Sequence, residues 1–294
     1  MALISDLWSE VGSWLAERIL MPTIFDQNEP ASGNELTNAG FWDRKYIPKT
    51  FGAFNWLKPL LRRKRHRMLG QLLDEIGKPS GEILELGCAP GEALLHLHKV
   101  RPQHRLHGID YSEVGMKSAE EFLGRTGVDA TIHFGDFRNV ELSQRFDMVM
   151  SFGLIEHFDD PVPIVMDHAR LCAPGGRVAL TVPNFATPVN RFLMKHCDPA
   201  GYAGHNLAIM DREALQAAFE AAGLLNVKVG SAQGPRIYPG GDRRLLRGRI
   251  NRLFSKFWNL AACLSPINAP WDYTLWAVGQ VPVEGIQTTE TNAA

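Results

Sequence analysis

The segment from Ile83 to Gly91, which reads Ile-Leu-Glu-Leu-Gly-Cys-Ala-Pro-Gly, constrains the fold of this chain more than any other. Its apolar residues predict a buried strand, and the glycines that bound the turn predict a tight loop. The residues Glu92–His98 follow with a helical pattern. In an open α/β sheet, a strand, a tight loop and a helix N-terminus form a nucleotide site, because unbonded backbone N–H groups point out of the helix start.

The spacing of the glycines separates two kinds of nucleotide site. A dinucleotide fingerprint needs Gly-x-Gly-x-x-Gly around a pyrophosphate. Here Gly87 and Gly91 enclose three residues, which disfavours a nicotinamide-dependent dehydrogenase. Glu85 would repel a diphosphate, whereas it can pair with an ammonium group. The alternative for the loop alone is a turn that binds no ligand.

Acidic residues end the next two predicted strands. The strand Arg105–Asp110 places Asp110 nineteen residues after Gly91, close to the spacing at which an acid binds ribose hydroxyls. Ser112 can cap the next helix, which would leave Asp110 available to a ligand. The strand Ala130–Phe134 precedes Gly135-Asp-Phe137, for which a plain Gly-Asp turn is the alternative.

The downstream half continues the alternation of strands and helices, which predicts a parallel sheet with right-handed crossovers. A strand at Met148–Phe152 leads into a loop with Glu156 and His157, and a Pro-Gly-Gly turn precedes a fifth strand. A helix capped by Asp211 ends at Gly223. The remaining strands are predicted at Arg177–Val182, Leu224–Val229 and Tyr273–Gly279, with a loop from Pro183.

Taken in order, these segments resemble the class I S-adenosylmethionine-dependent methyltransferases over roughly residues 80–230. Ala89 stands where the family commonly has a glycine. The motifs Glu-His-x-x-Asp-Pro and Thr-Val-Pro-Asn resemble the corresponding motifs in the branch of the family that methylates small molecules, sugars and lipids (methyltransferase type 11/23). The resemblance implies an α/β fold: a Rossmann-like, seven-stranded, mostly parallel sheet with one antiparallel edge strand and helices on both faces.

The resemblance also implies S-adenosylmethionine as the cofactor. Asp136 would accept from the adenine amine and the Phe137 ring would pack on the base. Tyr46 would lie near the methionine carboxylate or simply pack on the domain. The full set of expected cofactor-binding residues is Tyr46, Glu85, Gly87, Cys88, Ala89, Gly91, Asp110, Tyr111, Asp136, Phe137, Ser151 and Phe152.

His157 and His205 are the candidate catalytic bases. His157 follows strand four at the carboxyl edge of the sheet, and in many relatives a histidine at the point of His205 reaches the substrate. An imidazole with a pKa near ~6.5 suits proton removal at neutral pH. Each can instead be structural, and Glu156 is expected to orient the loop. Asn184 and Phe185 are expected to line the acceptor pocket by position.

No metal site is predicted. His96, His98, His104 and His107 cluster in the sequence, but His96 and His98 are two apart and point to different sides of a helix. The four cysteines form no C-x-x-C pair, which predicts a reducing compartment. No apolar run reaches ~18 residues and no signal peptide is evident, so the expected location is cytoplasmic, with peripheral membrane contact as an option.

The domain prediction has four parts. Residues 1–40 form an amphipathic helix and linker, residues 41–79 form cap or lid helices, and residues 80–281 form the core. The tail, residues 282–294, is expected to be disordered. A basic helical insertion at 232–271 interrupts the core.

Basic charge is concentrated in two segments. Residues 236–256 hold seven basic residues and one acid, for a formal +6, and residues 57–67 hold six basic residues and no acid. The whole chain is −1, so the remainder totals −13. The amphipathic pattern at 243–264 indicates a membrane-interface helix or a lid. Nucleic acid is disfavoured, because aromatic residues are not interleaved with the basic run.

The functional prediction is methyl transfer to an oxygen or nitrogen of a small-molecule, sugar- or lipid-linked acceptor. An RNA methyltransferase and a non-catalytic binding module of the same fold are the alternatives. The identity of the acceptor and the oligomeric state are left open.

Overall fold

The computed structural model describes Glu35 and residues 58–197, 202–232 and 272–284. The main helices of this part are α1 (Lys58–Asp74), α2 (Glu92–Val100), α3 (Glu113–Thr126), α4 (Val162–Leu171), α5 (Pro188–Cys197) and α6 (Arg212–Ala221). The strands are β1 (Glu82–Leu86), β2 (Arg105–Asp110), β3 (Ala130–Phe134), β4 (Phe146–Phe152), β5 (Cys172–Pro183), β6 (Leu225–Ala232) and β7 (Thr274–Gln280).

All seven strands form one sheet in the order β3-β2-β1-β4-β5-β7-β6. The first five strands pair in parallel, while β7 is antiparallel to both β5 and β6. The predicted fold class is therefore confirmed, and the antiparallel strand lies between β5 and the edge strand β6. The chain order reverses at β1 and β4, which is where open α/β sheets bind their ligands.

Apolar side chains cover both faces of the sheet. Ile83, Met148 and Met150 pack against α1, α2 and α3 on one face, and Leu84, Leu86 and Val149 pack against α4 and α6 on the other. The alternation follows from the pleat, which points successive side chains to opposite faces. A parallel sheet covered on both faces holds the ends of its strands rigidly, and loops at those ends inherit that position.

Polar caps set the helix starts. The Ser112 hydroxyl accepts from the Gly115 N–H at 2.8 Å, and the Asp211 carboxylate accepts from the N–H groups of Glu213 and Ala214. Both caps were predicted and are confirmed. Helix α5 was not predicted, since a loop was expected there. Its signal was Thr187 before Pro188, a cap residue followed by a proline in the first turn.

Several predictions lie outside the described residues. These are the N-terminal helix and linker, Tyr46, the basic helix at 243–264 and most of the C-terminal tail. Among the helices of the described ranges, none combines the length and the apolar character that crossing a bilayer requires.

Candidate active site

The loop between β1 and α2 is fastened to the end of β2. Gly87 and Gly91 have positive φ angles of 68° and 88°, a conformation that side chains with a Cβ rarely adopt. The N–H groups of Gly87 and Cys88 both donate to the Ile109 carbonyl, at 2.9 and 3.1 Å. The loop is thus held at the carboxyl ends of β1 and β2.

Asp110 connects this loop to the start of α3. Its buried carboxylate accepts from the Ala89 N–H at 3.0 Å and from the Ser112 N–H at 2.9 Å. The expectation that Asp110 would be left available by the Ser112 cap is therefore wrong in part. Asp110 orders the loop itself, although a carboxylate has about four acceptor positions and can also bind ligand hydroxyls.

Glu85 is the second buried acid of this region. Burial raises its pKa well above the ordinary value and the Asp110 carboxylate raises it further, while Arg65 and the Leu94 N–H act in the opposite direction. Among the described residues, Oε2 of Glu85 has no hydrogen-bond partner. A buried acceptor without a donor is costly, so this position favours the arrival of a cationic donor.

Cys88 occupies a structural position in the loop. A Cβ added at Gly108 would lie 2.6 Å from Cys88 Sγ and 2.7 Å from Cys88 Cβ, so the loop rests directly on β2 where Gly108 leaves room for it. Burial raises the pKa of the Cys88 thiol. The side chain therefore packs as a small apolar group and is not a reactive thiol.

Asp136 forms an ion pair that sequence reasoning did not anticipate. Arg138 donates through Nε to both Asp136 oxygens at 2.9 Å and through Nη2 to Oδ2 at 2.6 Å, and it also pairs with Glu35 at 2.5 Å. Burial alone would raise the pKa of Asp136, but these bonds outweigh it and lower the pKa. Tyr111 lies near this group, where burial and then Glu35 and Asp110 raise its pKa.

Phe137 is a core residue. Its ring lies edge-on to Phe158 at 6.5 Å and tilted to His168 at 6.1 Å, and it is almost fully buried. This placement does not favour the expected contact of the ring with adenine. The reason is that the short turn after β3 directs the ring inward, toward α4.

Ser151 and Phe152 point to opposite faces of the sheet. The Ser151 hydroxyl donates to Nε2 of His168 at 2.9 Å, and Nδ1–H of His168 donates to the Ile164 carbonyl at 2.7 Å. Burial lowers the pKa of His168 to about 4. Ser151 therefore fixes α4 on β4 through this hydrogen bond. Phe152 is half-buried and packs with the apolar cluster under α1, α2 and α3.

A second polar cluster lies beyond the ends of β4 and β5. The imidazoles of His157 and His205, far apart in sequence, lie 4.7 Å apart at their centroids. His157 Nδ1–H donates to the Gly204 carbonyl at 3.0 Å, and the Asn206 N–H donates to the Glu156 carbonyl at 2.7 Å. The two candidate bases thus occur in one site, which we call the histidine cluster: Glu156, His157 and His205.

Aromatic rings form one wall of the histidine cluster. The Phe185 ring centroid lies 5.6 Å from that of His205 and 5.9 Å from those of Tyr202 and Tyr273. The Asn184 amide instead donates to the Asp272 carbonyl at 2.9 Å and joins the end of β5 to the start of β7. Of the two expected acceptor-binding residues, Phe185 therefore lies beside the candidate bases, and Asn184 holds the backbone beneath them.

Histidines near α2 form local side-chain contacts. His96 Nδ1 and His66 Nε2 lie 2.8 Å apart, and His107 pairs with Glu82 at 2.8 Å. The four histidines weighed for a metal site in the sequence do not include His157 or His205. Within the described ranges, one group of three potential ligands converges, and it is the histidine cluster.

Comparison with known proteins identifies the family. The family profile described as "Methyltransferase domain" matches residues 55–229. Trans-aconitate 2-methyltransferase of Streptomyces coelicolor is 27% identical over 62% of this chain and 65% of its own length. Ubiquinone biosynthesis O-methyltransferase of Leptothrix cholodnii is 28% identical over 54% of this chain and 64% of its own. The matches thus span less than two thirds of these relatives.

Solved structures agree on the fold. A SAM-dependent methyltransferase from Thermotoga maritima has a TM-score of 0.50 and 18% identity, covering 76% of this chain and 92% of that one. Phosphoethanolamine N-methyltransferase 2 of Haemonchus contortus, solved with S-adenosyl-L-methionine, has a TM-score of 0.52 and 17% identity, covering 74% and 52%. Since the profile match also covers more than half of the sequence, the chain belongs to the methyltransferase domain family, as predicted.

Proposed function

We propose that this protein transfers the methyl group of S-adenosylmethionine to a hydroxyl oxygen of a small-molecule, sugar- or lipid-linked acceptor. The observation that carries the proposal is the arrangement of two sites at one edge of the sheet. A loop with buried acids lies at the ends of β1 and β2, and a pair of imidazoles lies beyond the ends of β4 and β5. Nitrogen is the alternative acceptor atom.

The loop fits the cofactor by its donor and acceptor groups. Glu85 and Asp110 would bind the ammonium and ribose hydroxyls, and the backbone of residues 87–91 would lie against the ligand. The buried Oε2 of Glu85 supports this fit, because an ammonium would supply the missing donor. When bound, the cofactor supplies a methyl group on a sulfonium, which is already an activated leaving group.

The histidine cluster would bind the acceptor. With Nδ1–H of His157 donated to Gly204, the neutral ring carries its lone pair on Nε2, the form required of a proton acceptor. Phe185 would hold an apolar part of the acceptor beside His205. Holding the acceptor in line with the methyl carbon lowers the barrier by several kcal/mol, on the order of 7 or more in well-oriented systems.

The name of the Leptothrix relative supports oxygen as the acceptor atom. The Leptothrix protein is named an O-methyltransferase of ubiquinone biosynthesis, and the Streptomyces protein is named for trans-aconitate. Both names point to small molecules. The aromatic wall of the histidine cluster suits an acceptor with an apolar part better than it suits a polynucleotide backbone.

Cofactor binding is the first test. Asp110→Ala should weaken binding of S-adenosylhomocysteine, measured by calorimetry, at least ~10-fold, since a buried acceptor of charge-assisted bonds is lost. Asp211→Ala is the matched control, because Asp211 also accepts from two backbone N–H groups but caps α6 away from the loop. It should cost about 1 kcal/mol of stability and leave the affinity unchanged. If Asp110→Ala binds S-adenosylhomocysteine as tightly as Asp211→Ala does, the proposed cofactor site is wrong.

Methyl transfer is the second test. Labelled S-adenosylmethionine is incubated with a fractionated cell extract, and lipid, polar-metabolite and RNA fractions are counted separately. Label in the lipid or metabolite fraction supports the proposal, and label confined to RNA contradicts it. His157→Ala and His205→Ala should each slow transfer at least ~10-fold. Absence of label in every fraction would favour a non-catalytic binding role.

A further inference from the structure

We infer that the histidine cluster is a binding site for one divalent cation of the first-row transition series. One nitrogen from each of His157 and His205 and one carboxylate oxygen of Glu156 all lie within 4.8 Å of one another. Two imidazoles and one carboxylate are a donor set that Zn²⁺ and its first-row neighbours bind in proteins. The hard cations Mg²⁺ and Ca²⁺ prefer oxygen ligands alone.

The three ligand atoms need to move only a short distance toward one another to bind a cation. A tetrahedral cation with bonds of about 2.1 Å holds its ligand atoms about 3.4 Å apart, so the widest pair must approach by about 1.4 Å at most. His205 is half-buried and follows Gly204, whereas Glu156 and His157 are almost fully buried on the short 3₁₀ helix Ile155–His157. The exposed side of the cluster, at His205, is therefore where the side-chain rotation would occur.

Backbone contacts orient the ligands, as in established metal sites. His157 Nδ1–H donates to the Gly204 carbonyl, which directs the Nε2 lone pair away from that contact. The Asn206 N–H donates to the Glu156 carbonyl, and the Asn206 amide donates to the carbonyls of Phe158 and Asp159 at 3.0 and 2.8 Å. These bonds join the segment of His205 to that of Glu156 and His157, so all three ligands are held together.

The charge and surroundings also suit a cation. Three protein ligands leave one coordination position for an exogenous oxygen, the pattern of catalytic sites. The single carboxylate offsets part of the charge, and the rings of Phe185 and Tyr202 provide an apolar wall. A cation in such a low-dielectric pocket lowers the pKa of a bound hydroxyl strongly.

This inference rests on the proposed function for its chemical role. The acceptor hydroxyl binds the cation and loses its proton to solvent. Its oxygen then forms a bond to the methyl carbon, and the carbon–sulfur bond breaks with its electron pair going to sulfur, which leaves S-adenosylhomocysteine. In this arrangement His157 and His205 are ligands, and the cation replaces the histidine base as the group that activates the acceptor.

The test is a titration of the full chain, without a histidine tag and stripped of metal by a chelator, with CoCl₂. The ligand-field absorption of Co²⁺ in the visible range is followed, and ZnCl₂ is then added as a competitor. We expect one equivalent of Co²⁺ per chain and displacement by Zn²⁺. His205→Ala and Glu156→Gln should each weaken Co²⁺ binding at least ~10-fold.

His98→Ala is the matched control, because His98 is a half-buried histidine of α2 that does not belong to the cluster. It should bind Co²⁺ as the wild type does, and circular dichroism verifies that each variant is folded. The cation site would be overturned if the wild type took up no Co²⁺. It would also be overturned if both ligand variants bound Co²⁺ as well as the wild type does. His205 is half-buried, so His205→Ala tests the site even where Glu156→Gln fails to fold.

Binding of S-adenosylhomocysteine by the stripped protein separates this inference from the proposed function. Binding of S-adenosylhomocysteine without Co²⁺ uptake overturns the cation site and leaves the methyltransferase proposal standing. Co²⁺ uptake without any cofactor binding supports the cation site and counts against the proposed function.

Discussion

Gly108 lies beneath the loop between β1 and α2, and adding one methyl group there should disturb both stability and binding of the proposed cofactor. In Gly108→Ala the new Cβ would lie 2.6 Å from Cys88 Sγ, 2.7 Å from Cys88 Cβ and 3.1 Å from Ile132 Cδ1. Carbon atoms in contact prefer about 3.5–4.0 Å, so Cys88 must move by about 0.8 Å or more. The Ile132 methyl can rotate away, whereas Cys88 Cβ is attached to the loop backbone.

The displacement would be transmitted to the hydrogen bonds of the loop. Cys88 N–H donates to Ile109, and the next residue, Ala89, donates to Asp110. Overpacking of this kind costs about 1–3 kcal/mol, and a weakened buried hydrogen bond adds about 1 kcal/mol. We therefore expect a loss of about 2–4 kcal/mol in the free energy of unfolding, measured by urea denaturation with an unchanged m value.

The same variant should bind S-adenosylhomocysteine at least ~10-fold more weakly by calorimetry, because it displaces the loop backbone that we propose lies against the ligand. Gly124→Ala is the control. Gly124 lies in α3 with no heavy atom within 4 Å of an added Cβ, so alanine should raise stability by up to about 1 kcal/mol and leave affinity unchanged. Wild-type stability and affinity in Gly108→Ala would refute the contact between this loop and β2.

Two further predictions concern buried ionisable groups. Because burial raises the pKa of Glu85, its contribution to stability is complete below the unfolded pKa of 4.5 and is lost as pH rises through the folded value. Glu85→Gln should therefore stabilise the ligand-free protein near neutral pH and weaken S-adenosylhomocysteine binding, and a less stable variant with full affinity would contradict this. For His168 the sign is opposite: its pKa falls from 6.5 to about 4, so the unfolded chain binds the proton more tightly. The free energy of unfolding should decrease by about 3 kcal/mol from this group as pH falls between these values, and an NMR-measured pKa near 6.5 for His168 would disprove the assignment.

Local patterns in the sequence were sufficient for most of the elements, with helix α5 as an exception. The strands at Arg105–Asp110 and Ala130–Phe134 have the predicted bounds, and Ser112 and Asp211 cap the predicted helices. These features depend on side chains within a few residues of one another, so spacing alone specifies them. The ordered motifs of a known family specified the sheet topology.

The contacts between distant segments were decided only by the tertiary structure. The sequence supplied His157 and His205 as separate candidates, and the fold brings both imidazoles together with Glu156. It likewise places Glu35 beside Arg138, the ion-pair partner of Asp136, and His168 beside Ser151, contacts that the motifs did not indicate. Sequence spacing determines which face of an element a side chain occupies, but the packing of helices and loops determines which group meets it there. For this protein the loop between β1 and α2 was therefore readable from the sequence, whereas the composition of the histidine cluster required the folded chain.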